Sequence, residues 1–233
     1  MGDRSADQYY ACRREELLRD LKREAQRWRP IVCSRFGQRF ARAVLCEARL
    51  RFEGLIPQMP YIGGDENHLT DSLLDAARCL AFYQAMQARG KTAQEAGKVL
   101  YDSIMSCMSA GAPDSAPEQR LTLQQLMERR RRRAARSQLR QYPQDWVYTF
   151  VLGDGREFDY GYDFTECAAQ KLYRAQGADE FLPFYCFLDS AVSRVLQLGL
   201  VRTMTLAQGD AVCNPRFKQG RKSELRWPPP FLR

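Results

Sequence analysis

Thiols, carboxylates and guanidinium groups are interleaved with apolar residues between positions 158 and 217, and this stretch holds the candidate chemistry of the chain. Glu166 and Cys167 stand just before a short helical pattern, and Cys186 and Asp189 interrupt an otherwise apolar one. Three residues apart, Cys186 and Asp189 share one face of a helix. Arg202, Thr203 and Thr205 alternate along a strand-like run, and Cys213, Asn214 and Arg216 lie on the next. A protein interior accepts such groups only when they are paired or used, so each carries two readings. Cys186 is a small buried hydrophobe or a nucleophile. Asp189 is an ion-pair partner of Arg202 or Arg216, or the base that activates water. With no histidine beside it, a thiol needs an arginine or a helix N-terminus to lower its pKa, and Cys167 has the latter. Glu166 caps the same helix or donates a proton. The forked donors of Arg202 and Arg216 suit a substrate carboxylate, or else a structural pair with Asp189 or Glu166. By connectivity, Glu166, Asp189, Arg202 and Arg216 are expected to converge on one cavity with Cys186 or Cys213 in its wall, and Asp189 to pair with Arg202.

Helices and a small sheet must position these groups. Residues 7–28 read as an amphipathic helix ending before Pro30. Residues 34–54 read as a second, with Phe36, Phe40, Val44, Leu45 and Phe52 recurring at helical spacing. A Pro- and Gly-dense loop follows, in which Gly63-Gly64 is a turn or a close approach to a ligand and His68 is a surface or capping residue. Thr70 is placed to cap a helix over 71–89 that ends at Gly90. Thr92 and Glu95 form a capping-box pattern opening a helix to about residue 108. A turn is expected over 111–117, then a basic helix over 118–140. The period changes to two over 146–152, a strand closed by Gly153-Asp154-Gly155, with 157–163 pairing back. Helices over 165–176 and 179–198 precede an expected hairpin of 200–206 and 211–217. The tail, 220–233, reads as irregular, with polyproline character at 228–230. The fold class is α+β: a helical part over 7–140, an α+β part over 145–219, and a single domain over 1–233.

Composition narrows the function classes. No apolar run approaches the length of a membrane span, and the mixed-charge N-terminus is unlike an export signal. MGDRSA fits a loose myristoylation pattern at Gly2 and Ser5, with the Ser one residue out of place. Eight dispersed cysteines without C-x-x-C spacing predict reduced thiols and a cytoplasmic location. One histidine excludes a multi-His metal centre, and no phosphate loop or dinucleotide glycine motif occurs, so neither metal nor cofactor is expected. The net charge of +8 is concentrated around Arg129–Arg133, Arg136 and Arg140. Without interleaved aromatics or a recognisable module, that run reads as a solvated basic helix face, and a small molecule is the expected partner rather than nucleic acid or membrane.

The stretches YIGGDENHLTDSLLDAARCLAFYQAMQARGKTAQEAGKVLYD, FDYGYDFTECA and LVRTMTLAQGDAVCNPRFK, in that order, resemble the L-2-amino-thiazoline-4-carboxylic acid hydrolase family over roughly residues 28–219. The matching positions are Gly63, Gly64 and Asn67; Glu166 and Cys167; Cys186 and Asp189; Arg202, Thr203, Thr205 and Gly209; and Cys213, Arg216 and Phe217. The resemblance implies a hydrolase that opens a C–N bond of a cyclic amidine or thiazoline. Its catalytic groups would come from Glu166, Cys167, Cys186, Asp189 and Cys213, and its substrate contacts from Arg202, Thr203, Thr205, Arg216 and Asn214. On that reading Cys186 attacks the amidine carbon, or Asp189 activates the water that does. One departure stands out: relatives carry Asp-Phe after the last cysteine where this chain has Asn214-Pro215. That departure implies the alternative of a diverged relative in specialised metabolism that binds a small ligand and promotes cyclisation or isomerisation.

Overall fold

The computed structural model of the chain describes residues 6–107 and 122–232. The turn expected at 111–117 and the Gly2/Ser5 pattern lie outside them. The fold is α+β, as expected, with eight α-helices and one three-stranded antiparallel sheet among the described residues. The chain divides into two compact units, Met1–Ser103 with Ala169–Tyr185, and Ile104–Ala168 with Cys186–Arg233.

The first unit is helical. It contains α1 (Ala6–Cys12), α2 (Arg14–Phe36), α3 (Gln38–Leu55), α4 (Thr70–Gln87) and most of α5 (Ala93–Cys107). It also takes in most of α7 (Ala168–Ala175) and the first turn of α8 (Leu182–Leu196). α2 does not stop before Pro30 but runs through it. A mid-helix proline removes a backbone bond and costs about 3 kcal/mol. Here Pro30 is exposed while Trp28 and Val32, one turn apart on the opposite face, are buried, and their packing carries the helix across the defect. The break comes instead at Gly37, whose φ of +86° suits a residue without a Cβ and separates α2 from α3. α4 is buried on most of its circumference, and the Phe82 ring packs on Trp28 with centroids 4.8 Å apart. Thr70 is not its cap. It is the first helical residue, and its hydroxyl donates to the Gly64 carbonyl at 2.7 Å, tying the glycine loop to the helix. Thr92 and Glu95 do form the expected reciprocal cap, with Glu95 N–H donating to Thr92 at 3.1 Å and Thr92 N–H to Glu95 at 2.9 Å.

The second unit holds α6 (Leu123–Ser137), the sheet and the rest of α8. β1 (Val147–Leu152) pairs antiparallel with β2 (Tyr160–Glu166), which pairs with the two-residue β3 (Arg216–Phe217). β2 therefore begins three residues later than the expected 157–163. The expected hairpin of 200–206 and 211–217 is not a pair of regular strands. Val201 and Arg216 make one isolated bridge, and a 3-10 turn occupies Leu206–Gln208 before Gly209. The tail forms bends and a 3-10 turn at Pro230–Leu232 rather than polyproline helix.

The basic helix α6 is not solvated on all sides. Thr122 and Gln125 cap its start reciprocally, and Leu126 and Ala134 are buried. Between them, Arg130 lies over the Tyr160 ring at 4.3 Å and donates to the Tyr162 hydroxyl at 3.0 Å. The aromatics missing from the run itself are thus supplied by the sheet.

Candidate functional site

Arg202 is the centre of the polar cluster in the second unit. It follows the bridge residue Val201, and its side chain is only 10% exposed. Nη1 donates to Oδ2 of Asp189 at 2.9 Å, and Nη2 donates to the Cys186 carbonyl one turn earlier on α8. One guanidinium thus grips both an acid and a backbone acceptor of the same helix face, which is the arrangement that i, i+3 spacing allows. Burial opposes the charged guanidinium, but the Asp189 carboxylate and the nearby Cys186 and Cys213 sulfurs outweigh it and hold its pKa above the ordinary value. Asp189 is 65% exposed, so the pair presents a buried cation and a solvent-facing carboxylate.

Two thiols, Cys186 and Cys213, lie beside this cation, and a third, Cys167, lies near Cys186. Cys213 is fixed by two backbone bonds to Phe164 of β2, each 2.9 Å, and the nearby Arg202 charge and Thr205 side chain act to lower its thiol pKa. Burial nevertheless raises its pKa, and burial raises that of Cys186 further despite Arg202. Cys167, directly before α7, is close enough to Cys186 to add to that rise. A thiol held protonated is a poor nucleophile at neutral pH. Among the described residues the cysteines are thiols rather than disulfides, and no group of three or more His, Cys, Asp or Glu is arranged to hold a metal ion.

The loop that carries Arg202 is held by side chains acting in place of strand partners. The Asn214 carbonyl accepts the Thr203 and Met204 N–H groups at 3.0 and 2.8 Å, while its amide donates to the Thr203 hydroxyl at 2.9 Å. Asp210 accepts the Thr205 N–H at 2.7 Å. Thr205 caps the 3-10 turn by accepting from Ala207 N–H at 3.3 Å. Asp210 was not among the expected site residues. Its signal was a short acid directly after Gly209, the usual chemistry of a turn.

Glu166 and Arg216 are not in this cluster. Glu166 pairs with Arg140, which sits beyond the end of α6 in the left-handed region at φ 49°. Arg216 donates through Nη2 to Asp163 at 2.7 Å and through Nη1 to the Tyr162 carbonyl at 2.5 Å. The second bond has a cause in the sequence. Tyr162 and residue 215 face each other between the Gly161–Arg216 and Phe164–Cys213 pairs, and Tyr162 N–H donates to Pro215 O at 3.0 Å. Pro215 has no N–H to return, and the Arg216 guanidinium supplies the donor instead. Its side chain lies across Gly161, where a Cβ would come within 2.4 Å of the Arg216 Cδ. The expected convergence of four charged groups thus resolves into separate pairs: Asp189–Arg202 at the thiols, Arg140–Glu166, and Asp163–Arg216 on the sheet.

No curated protein and no solved structure matches the chain. A sequence model of the L-2-amino-thiazoline-4-carboxylic acid hydrolases matches residues 72–217, a span that takes in every residue of the Arg202 cluster but not Gly63, Gly64 or Asn67 of the loop before α4. With well over half of its length inside that match, the chain belongs to the L-2-amino-thiazoline-4-carboxylic acid hydrolase family.

Proposed function

We propose that this chain hydrolyses a C–N bond of a small cyclic amidine or thiazoline carrying a carboxylate. The observation that carries the reading is the family match over 72–217 together with the Arg202–Asp189 pair inside it. Arg202 anchors the substrate carboxylate with the donors that Asp189 and the Cys186 carbonyl leave over. Asp189, solvent-facing, takes a proton from water. The water oxygen bonds to the amidine carbon as its C=N double bond opens and nitrogen takes the proton held by Asp189. The hydroxyl then gives up its second proton through Asp189 to the ring nitrogen, a carbonyl forms, the ring C–N bond breaks and the nitrogen departs as an amine. Cys186 and Cys213, with Thr203 and Thr205, form the wall. Cys167, before α7, borders it beside Cys186. In this scheme the raised thiol pKa values of Cys186 and Cys213 favour water over sulfur as nucleophile.

The test is ring opening of L-2-amino-thiazoline-4-carboxylate by the purified chain. Asp189→Asn is expected to lower kcat by about 100-fold or more. Arg202→Ala is expected mainly to raise KM, by about tenfold or more. Cys186→Ser and Cys213→Ser are expected to keep activity within about tenfold. Activity that survives both the Asp189 and the Arg202 substitutions sinks the proposal.

The alternative of a diverged, non-hydrolytic relative rests on Asn214-Pro215. The hydrogen bonds Asn214 makes to the loop backbone are ones an aspartate also makes, since either side chain offers an oxygen to the Thr203 and Met204 N–H groups. The change from acid to amide therefore preserves a loop-holding role, which favours the hydrolytic reading.

A further inference from the structure

In the second unit α8 exposes three residues, Asp189, Val192 and Leu196, and its other residues from Cys186 on are buried or half-buried. At i, i+3 and i+7 the three form one stripe, with the acid of the ion pair at its head and two aliphatic side chains behind it. The chain then returns along the same helix. Leu200 N–H donates to Ser193 Oγ at 2.9 Å, and Arg202 reaches Asp189 and the Cys186 carbonyl. That direction of travel puts the exposed Met204 on the far side of the ion pair from Leu196. Eight large apolar residues are exposed among the described residues. Leu50, Leu139, Leu152 and Leu232 stand in or beside separate elements, whereas Val192, Leu196, Val201 and Met204 fall together on α8 and its returning segment. Single exposed aliphatics need no explanation, but a group of them around the acid of a buried cation does. Apolar carbon meets water there beside the proposed chemistry, and an apolar part of the substrate would remove that contact. From Asp189 to Leu196 the stripe runs about 10 Å, at about 1.5 Å per residue.

We infer that the substrate of the Arg202–Asp189 site carries an extended apolar substituent, and that Val192 and Leu196 select for it. The inference rests on the hydrolytic reading above. With the carboxylate held by Arg202 and the amidine carbon at Asp189, a substituent on the exocyclic nitrogen lies along α8 over Val192 and Leu196, and Met204 flanks the ring. The reaction balances as before: water adds across the ring C–N bond, the amidine carbon becomes a carbonyl that keeps the substituted nitrogen, and the ring nitrogen is released as the amine. The test compares kcat/KM of the purified chain for L-2-amino-thiazoline-4-carboxylate and for the same ring with a hexyl group on its exocyclic nitrogen. The hexyl compound is expected to be preferred by about tenfold or more, through KM, because its methylenes leave water on binding. A Val192→Ser, Leu196→Ser double variant, altered only at exposed positions, is expected to bring that preference below about threefold. The readout is a ratio, so a general loss of folding or activity cancels. Equal or lower kcat/KM for the hexyl compound, with the unsubstituted ring turned over, overturns the inference and leaves the hydrolytic reading standing. Turnover of neither ring overturns both. A preference that the double variant keeps also overturns the inference. So does sedimentation of the parent as a dimer that the serines disrupt, because a second copy would then cover the stripe.

Discussion

α4 and the segment from Leu198 to Phe217 are ordered by opposite means. Twelve of the eighteen residues of α4 are buried, among them Leu73, Leu80, Phe82 and Met86, and the helix is held by apolar surface removed from water. The other segment has little regular structure, and polar side chains stand in for the missing strand partners: Asn214 for Thr203 and Met204, Asp210 for Thr205, Ser193 for Leu200. In the first, volume matters and individual polar groups do not. In the second, one lost acceptor releases two backbone N–H groups at once. It is the second kind of construction that carries Arg202, which fits the general placement of binding groups on loops held by rigid elements.

The contrast can be broken at three points, in order of expected effect. Phe82→Ala removes a fully buried ring packed at a tilt on Trp28 and should destabilise the chain by about 3–5 kcal/mol in chemical denaturation. A loss below about 1 kcal/mol would mean that α4 is not the apolar centre of its unit. Asn214→Ala should cost about 1 kcal/mol by removing the acceptor of the Thr203 and Met204 N–H groups, which are exposed and turn to water instead, with Asn214→Asp restoring most of it. Hydrogen exchange reports this locally. Exchange at Thr203 and Met204 that does not quicken in the alanine variant would remove Asn214 as the organiser of the loop.

The smallest effect is on pH dependence. Burial raises the thiol pKa of Cys186 and Cys213, so the folded chain keeps protons that the unfolded chain releases near the ordinary thiol value of about 8.5. Their contribution is complete below that pH and is lost as pH rises from there toward the folded pKa values, because the unfolded state then binds fewer protons. A Cys186→Ala, Cys213→Ala double variant should therefore lose less stability than the parent between pH 7.5 and 9.5, a difference on the order of 1 kcal/mol. Equal losses in the two proteins would contradict burial of these thiols.

What could be read from the sequence follows the same division. The Thr92–Glu95 cap, the Gly90 stop and the β1 strand are local patterns, and each is in the structure. The Asp189–Arg202 pair follows from connectivity, a charged residue among apolar neighbours finding its acid on the preceding helix. The helix stop at Pro30 failed because tertiary burial of Trp28 and Val32 overrode a local signal. The hairpin over 200–217 failed because alternating residues there mark side chains that bond backbone, not a strand face. Glu166 and Arg216 pair with Arg140 and Asp163 instead of joining Arg202, because pairing across elements leaves no trace in spacing.

The guanidinium that completes the ladder at Tyr162 has a consequence for how this edge can change. Besides its pair with Asp163, Arg216 supplies the ladder donor that Pro215 lacks, so that second role lasts only while position 215 has no N–H. Restoring an amide donor at 215 would leave 216 with only its pair to Asp163 to maintain, whereas replacing 216 first would remove a donor to the Tyr162 carbonyl as well. Two neighbouring positions are thus locked into an order of replacement, and substitutions harmless in sequence are harmful in reverse.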